Sequence, residues 1–164
     1  MPIDPKTKLK TLDELKAIVR SARARGRKIV FANGCFDLLH VGHVRYLQGA
    51  RAEGDILIVA LNSDASVKRN KGEGRPLQSQ AARAEIIGSI ASVDYVLIFD
   101  AATVDGLLNE LQPDVHAKGT DYTTDTVPER ETVRGYGGRV AIVGDPKAHS
   151  TRDLIDRILA KFRP

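Results

Sequence analysis

The chain has a single cysteine, Cys35, and no tryptophan among its 164 residues. One thiol excludes an internal disulfide framework and any cysteine-built zinc site. Aromatic residues make up only 5% and form no cluster, which argues against the stacking platforms that read single-stranded RNA. No apolar run approaches the roughly 18 residues of a membrane span. The opening MPIDPKTKLK carries charge with no hydrophobic stretch behind it, unlike a secretory signal. A reducing, cytoplasmic setting is expected, with neither nucleic acid nor a membrane as partner.

What is present fits one compact core, since domains commonly run to roughly 100–200 residues. Such a chain buries about 70% of its unfolded surface without covalent staples. Twenty-five Lys and Arg against 21 Asp and Glu leave a formal charge of +4, which suits phosphate-bearing ligands without selecting one.

Apolar runs alternate with segments of helical period, the pattern of a parallel α/β sheet. Residues 11–25 have helical spacing at Leu12, Leu15, Ile18 and Val19, with Thr11 and Glu14 as a capping pair. Residues 1–27 read as an N-terminal helical extension and 28–164 as the main domain. Strands are expected at Lys28–Asn33, Asp55–Leu61, Tyr95–Phe99, Val115–Lys118 and Arg139–Val143. Helices are expected from Gly42 to Ala52, Gln80 to Ile90, Val104 to Leu111 and Glu129 to Tyr136, and from a Ser150 cap to Phe162. The stretch Asn62–Ser79, with two glycines, a proline and four basic residues, reads as a long loop. Five strands with right-handed helical crossovers make a Rossmann-like, doubly wound sheet, whose ligands sit beyond the carboxyl ends of the strands.

The strongest chemical signal falls at such an end: Asn33-Gly34-Cys35-Phe36-Asp37-Leu38-Leu39-His40-Val41-Gly42-His43. Two histidines three apart open a helix whose free N–H groups favour phosphate oxygens. Their ring N–H groups can stabilise charge that builds on a phosphorus centre. Gly42 lets the backbone pass close to a ligand. The plainer readings are a packed histidine pair or a metal site, and two histidines alone fall short of the ligands zinc takes.

These residues resemble the HxGH signature of the cytidylyltransferase-like nucleotidyltransferases, as His40-Val41-Gly42-His43. The resemblance extends through Asn62–Arg69, Lys71-Gly72, Arg75-Pro76, Lys118-Gly119-Thr120-Asp121-Tyr122, Gly137-Gly138 and Ser150-Thr151. Those segments are similar to the heptose-phosphate adenylyltransferase branch and cover about residues 28–160 in order. Two features depart from it: Arg152 stands where the branch has a second threonine, and Thr123–Arg130 differs from the usual insert.

The resemblance implies transfer of AMP from ATP to a sugar 1-phosphate, D-glycero-β-D-manno-heptose 1-phosphate, with Mg2+ bridging phosphates. It places His40, His43 and Lys68 in catalysis. It places Asn33, Gly34, Cys35, Phe36, Gly42, Arg75, Arg83, Lys118, Gly119, Asp121, Ser150 and Thr151 around the nucleotide and its phosphates. Lys68, Arg69, Lys71 and Arg75 read either as a solvated charge run or as a basic lid over the triphosphate, with Lys68 and Arg75 preferred. Asp37 is expected to hold the loop or a magnesium ion, Cys35 to be a small residue under a tight ligand approach, and His116 to be packed. His149 is a weaker phosphate candidate. Relatives of this kind imply a homo-oligomer, and the absence of room for a kinase implies that a separate sugar kinase supplies the acceptor. A CTP-dependent enzyme acting on glycerol 3-phosphate, a nucleotide-binding regulator without turnover, and a class I aminoacyl-tRNA synthetase remain as alternatives.

Overall fold

The computed structural model describes residues 4–146 and 148–162. Five parallel strands, β1 (Ile29–Gly34), β2 (Ile56–Asn62), β3 (Tyr95–Phe99), β4 (Val115–Lys118) and β5 (Arg139–Ile142), pair in the order β3-β2-β1-β4-β5. Seven helices connect and flank them: α1 (Leu12–Ala24), α2 (Val41–Ala52), α3 (Asp64–Lys71), α4 (Gln80–Gly88), α5 (Asp105–Leu111), α6 (Arg130–Gly135) and α7 (Thr151–Phe162). This is a Rossmann-like doubly wound sheet. Chain order reverses between β1 and β4, so a crevice is expected beyond their carboxyl ends.

Strand side chains alternate between two buried layers, as the two-residue period requires. Val30, Ala32, Leu57, Val59 and Leu61 pack with Leu47 and Ala50 of α2 and with Ala84 and Ile87 of α4. Ile29, Phe31, Ile56, Ile58 and Ala60 face Leu15, Val19 and Ala22 of α1, together with Leu108, Leu111 and Val133. Helix α1 is therefore built into the main core, and residues 4–27 are not set apart from it. Thr11 and Glu14 close a reciprocal cap at its start, with Glu14 Oε2 accepting from the Thr11 backbone N–H at 2.7 Å.

The α-helix unforeseen in the sequence is α3, which occupies part of the stretch read as a loop; a short 3-10 turn at Pro5–Lys8 is likewise unforeseen. Ser63 caps it by accepting from the Ser66 N–H at 3.0 Å, and Val67 is fully buried. Val67 is the helix's one large apolar residue, too few for a periodic signal, so tertiary contact supplies what amphipathicity does not. Helix α4 ends at Gly88, two residues before the expected end. Among the described residues, no helix is long and apolar enough to cross a membrane.

Candidate active site

A cavity of about 840 Å³ opens beyond the carboxyl ends of β1, β4 and β5, within the size range of small-molecule sites. Its walls come from the β1–α2 connection, the end of α3 and Arg75, the β4 loop 118–122, and the run from Val143 into α7. Among the candidates, Asn33, Gly34, Cys35, Phe36, His40, Gly42, His43, Arg75, Lys118, Gly119, Asp121, Ser150 and Thr151 all line it.

The histidine pair is held by its own backbone. His40 precedes the first turn of α2, and its N–H donates to His43 Nδ1 at 3.3 Å. An accepting Nδ1 places the ring proton of neutral His43 on Nε2, which is left to donate outward. The two rings stack with centroids 3.9 Å apart. Burial, reinforced by His40, pushes the His43 pKa down to about 4. Burial, and then the charge of His149, lowers that of His40. Both are neutral imidazoles near pH 7, able to donate without bringing a positive charge. His40 Nδ1 is buried with no partner, which leaves Nε2 as its working nitrogen.

Glycine at 42 has a different reason from the expected one. A Cβ there would stand 2.9 Å from His40 Nδ1, so Gly42 makes room for the histidine ring itself. Gly34 does the same for Phe36, whose ring lies 2.9 Å from a hypothetical Cβ. Phe36 is buried, adopts a left-handed backbone (φ 48°) and packs beside His43 and Tyr46, an uncommon state for an aromatic residue. It supports His43 from behind.

Asp37 is 2% exposed and accepts from Arg75 Nε at 2.7 Å and from the Leu77 and Gln78 N–H groups at 2.9 and 3.0 Å. Burial works to raise its pKa, but these donors outweigh it and hold the carboxyl below its ordinary value. A carboxylate so fully engaged ties the segment after α3 to the histidine loop and has little left for a metal. No group of three or more His, Cys, Asp or Glu that could hold a metal occurs among the described residues. The residues present therefore do not build a cage for magnesium. Cys35 is partly buried, with burial raising its thiol pKa, and a thiol kept protonated is a poor nucleophile.

Two expected site residues lie elsewhere. Arg83 is 0% exposed. Its Nε donates to Gln78 O at 3.0 Å, Nη1 to Cys35 O at 2.6 Å and Asn62 O at 2.9 Å, and Nη2 to Asp64 Oδ1 at 2.7 Å. With its guanidinium spent on the protein, Arg83 is a buried clamp joining three connections rather than a phosphate ligand. Lys68 pairs with Glu73 at 3.1 Å on the exposed side of α3 and does not line the cavity. Lys71 does. It lies one turn beyond buried Val67, on the same helix face, so that recognising the Ser63 cap and the Val67 anchor would have singled it out. Arg45 and Arg152 also line the cavity. Arg45 pairs with Asp145 at 2.5 Å, Arg75 with Asp37 and Lys118 with Glu129. Lys71 and Arg152 have no carboxylate partner among the described residues, which leaves them for ligand anions.

At the far wall, Ser150 Oγ accepts from the Asp153 N–H at 3.0 Å as the helix cap. Thr151 Oγ1 donates to Leu38 O at 3.0 Å, tying α7 to the histidine loop. With the Asp153 N–H taken by this cap, the Thr151 and Arg152 amides of the first turn of α7 are the ones left for anionic oxygens. His149 stands 6.4 Å from the His40 ring. His116 is buried inside β4, as expected.

A switch-point cavity lined by neutral imidazole donors, basic side chains and a helix mouth defines a nucleotide-handling α/β protein. Residues 31–157 match the Cytidylyltransferase-like family, and the chain belongs to that family and is a nucleotidyltransferase. It is 51% identical over 97% of its length to the bifunctional protein HldE of Geobacter metallireducens, and 52% identical over 94% to that of Geotalea uraniireducens. The chain spans about a third (32%) of the length of these relatives. Among solved structures, the lipopolysaccharide core biosynthesis protein of Thermoplasma volcanium is 27% identical with a TM-score of 0.64, covering 74% of this chain and all of that one. Pantoate-beta-alanine ligase of Francisella tularensis, 16% identical with a TM-score of 0.61 over 87% of this chain and 68% of that one, shares the fold.

Proposed function

We propose that this nucleotidyltransferase moves AMP from ATP to D-glycero-β-D-manno-heptose 1-phosphate, releasing pyrophosphate and forming ADP-heptose. The observation that carries the chemistry is the pair of neutral, stacked imidazoles at the mouth of α2, with the His43 proton fixed on Nε2. Half-identity to HldE proteins over nearly the whole chain supports the heptose branch.

An oxygen of the sugar phosphate attacks the α-phosphorus in line, and the bond from that phosphorus to the bridging oxygen of pyrophosphate breaks. His40 and His43 donate hydrogen bonds where negative charge gathers in the transition state, an effect of preorganised donors that needs no covalent intermediate. Lys71 and Arg152 neutralise the phosphates, and the α7 amides hold the end of the chain that departs. Arg75, oriented by Asp37, keeps the segment after α3 against the histidine loop. Magnesium, held by the substrate more than by these side chains, would supply charge neutralisation. On this reading the protein works in the cytoplasm and a sugar kinase supplies its acceptor.

The test is pyrophosphate release with ATP and heptose 1-phosphate, run beside CTP with glycerol 3-phosphate. Turnover with the first pair only is expected. Release with CTP and glycerol 3-phosphate alone would overturn the substrate assignment, and nucleotide binding without release under any pairing would point to a regulator.

A further inference from the structure

One buried titratable group has no part in the chemistry above. His116 lies in β4 at 0% exposure, on the sheet face it shares with Asn33 and Lys118. The parallel register sets it opposite Phe31, whose ring meets it edge-on at 5.7 Å. Its Nε2 lies 3.1 Å from Asn33 Oδ1, and its Nδ1 is buried with no hydrogen-bond partner.

The hydrogen-bond directions follow from one cation. Lys118 Nζ, 3.5 Å from Asn33 Oδ1, is a donor only, so the carboxamide must turn its oxygen toward it. That oxygen is also the atom His116 meets, so His116 must donate, which puts its proton on Nε2 and makes Nδ1 the orphan. Burial, and then the Lys118 charge, keeps this ring neutral, with a pKa down to about 3. With Oδ1 taken twice, Asn33 has Nδ2 left to offer, and Asn33 lines the cavity. Lys118 lines it too, held by Glu129 at 3.4 Å and lying 4.9 Å from the centre of the Tyr122 ring.

We propose that His116 is a positioning residue of the transferase site: it orients the Asn33 carboxamide so that Nδ2 joins Lys118 Nζ in binding a substrate phosphate oxygen at the β1/β4 switch point. A buried ammonium beside a fixed amide N–H suits an anionic oxygen, because both groups donate and Lys118 has a third N–H besides those directed at Asn33 and Glu129. The orphaned Nδ1 fits a residue kept for its donor, since an unsatisfied buried nitrogen works against stability. The inference rests on the nucleotidyltransferase reading and leaves the sugar unspecified. The oxygen belongs either to the α-phosphate of ATP or to the sugar phosphate.

Two variants separate orientation from packing. His116→Leu fills the space without a donor, and His116→Gln restores an amide donor. The Leu variant should melt no lower than wild type, yet lose about 10- to 100-fold in kcat/KM, the scale of a hydrogen bond to a charged group. The Gln variant should recover most of that loss. A larger KM effect for ATP assigns the oxygen to the nucleotide, and a larger effect for the acceptor assigns it to the sugar phosphate.

Side-chain amide NMR provides a second arm that does not need turnover. The Asn33 Nδ2 resonance should shift on adding ATP or heptose 1-phosphate to wild type, and move far less in His116→Leu. If heptose 1-phosphate is the wrong acceptor, turnover fails in wild type while the ATP-induced shift still reports on Asn33. Full activity in His116→Leu, equal loss in both variants, or an Asn33 resonance indifferent to both ligands would overturn the proposal.

Discussion

The β1–α2 connection and the segment from Asn62 to Arg83 both carry charged or polar groups to the same cavity, but by different means. In the first, chemistry follows local spacing. His40 and His43 are three apart at a helix start, and the His40 N–H reaches His43 Nδ1 with no help from elsewhere. In the second, the basic residues are sorted by helix phase and burial. Lys68 turns to Glu73, Lys71 lines the cavity, Arg75 is clamped by Asp37, and Arg83 is enclosed. Composition alone reports four or five similar cations there. Only the packed structure says that they hold different jobs.

The sharpest way to break this contrast is to remove the enclosed cation. Arg83→Met leaves the Cys35, Asn62 and Gln78 carbonyls and the Asp64 carboxylate without their donor. Asp64 is solvated enough to tolerate the loss, but each enclosed carbonyl left without a donor costs about 1–3 kcal/mol, to be read as a lower urea midpoint and melting temperature. If Arg83 instead touched phosphate, the variant would fold with wild-type stability and lose only turnover.

The histidine mouth should respond the other way, in rate and not in stability. His43→Ala should lower kcat by about 10²–10³-fold, the scale of one lost oxyanion-type donor, with nucleotide affinity changed much less. A variant that keeps wild-type kcat would remove the imidazoles from the mechanism.

The same contrast explains what could be read without coordinates. Five strands and six of seven helices follow from apolar runs, caps such as Thr11 and Ser150, and stops such as Gly26, because local energetics fix those features. Helix α3 escaped because one buried valine gives no period. Most of the cavity lining was legible: the histidine pair and the Ser150–Thr151 helix start from their places at a strand end and a helix start, and Asn33–Phe36 and Lys118–Asp121 through the family resemblance. Arg83 and Lys68 were misplaced for a common reason. A sequence shows that a cation exists, while its direction depends on neighbours such as Cys35 O and Glu73 that are distant or differently phased along the chain.

Within the second region, a smaller experiment compares neighbours on α3. Lys71→Ala should reduce kcat/KM for ATP by about tenfold or somewhat more, as for a lost hydrogen bond to a charged group. Lys68→Ala removes only an exposed ion pair, a small interaction, and should change kcat/KM less than about threefold. The reverse ranking would mean that α3 presents its other face to the nucleotide.

The last comparison is made with acid, and it separates the regions by whether stability follows pH between 6.5 and 4. His43 in the folded chain accepts a proton only near pH 4, whereas unfolded histidine does so near 6.5. Between those values the unfolded chain binds more protons, so stability rises with pH and is lost as pH falls below about 6.5. His116, with its pKa near 3, adds to the same slope from about pH 6.5 downward and continues it below pH 4, where His43 is already protonated. Asp37 also weakens the fold in acid, but lower, because its folded pKa lies below its ordinary value and its contribution survives until that carboxyl is protonated. A His43→Gln variant should therefore show a shallower fall in melting temperature between pH 6.5 and 4 than wild type, while Lys71→Ala should follow the wild-type slope. Parallel curves for wild type and His43→Gln would show that His43 titrates as a free imidazole, and with that the argument for a neutral donor at the mouth of α2 would lose its basis.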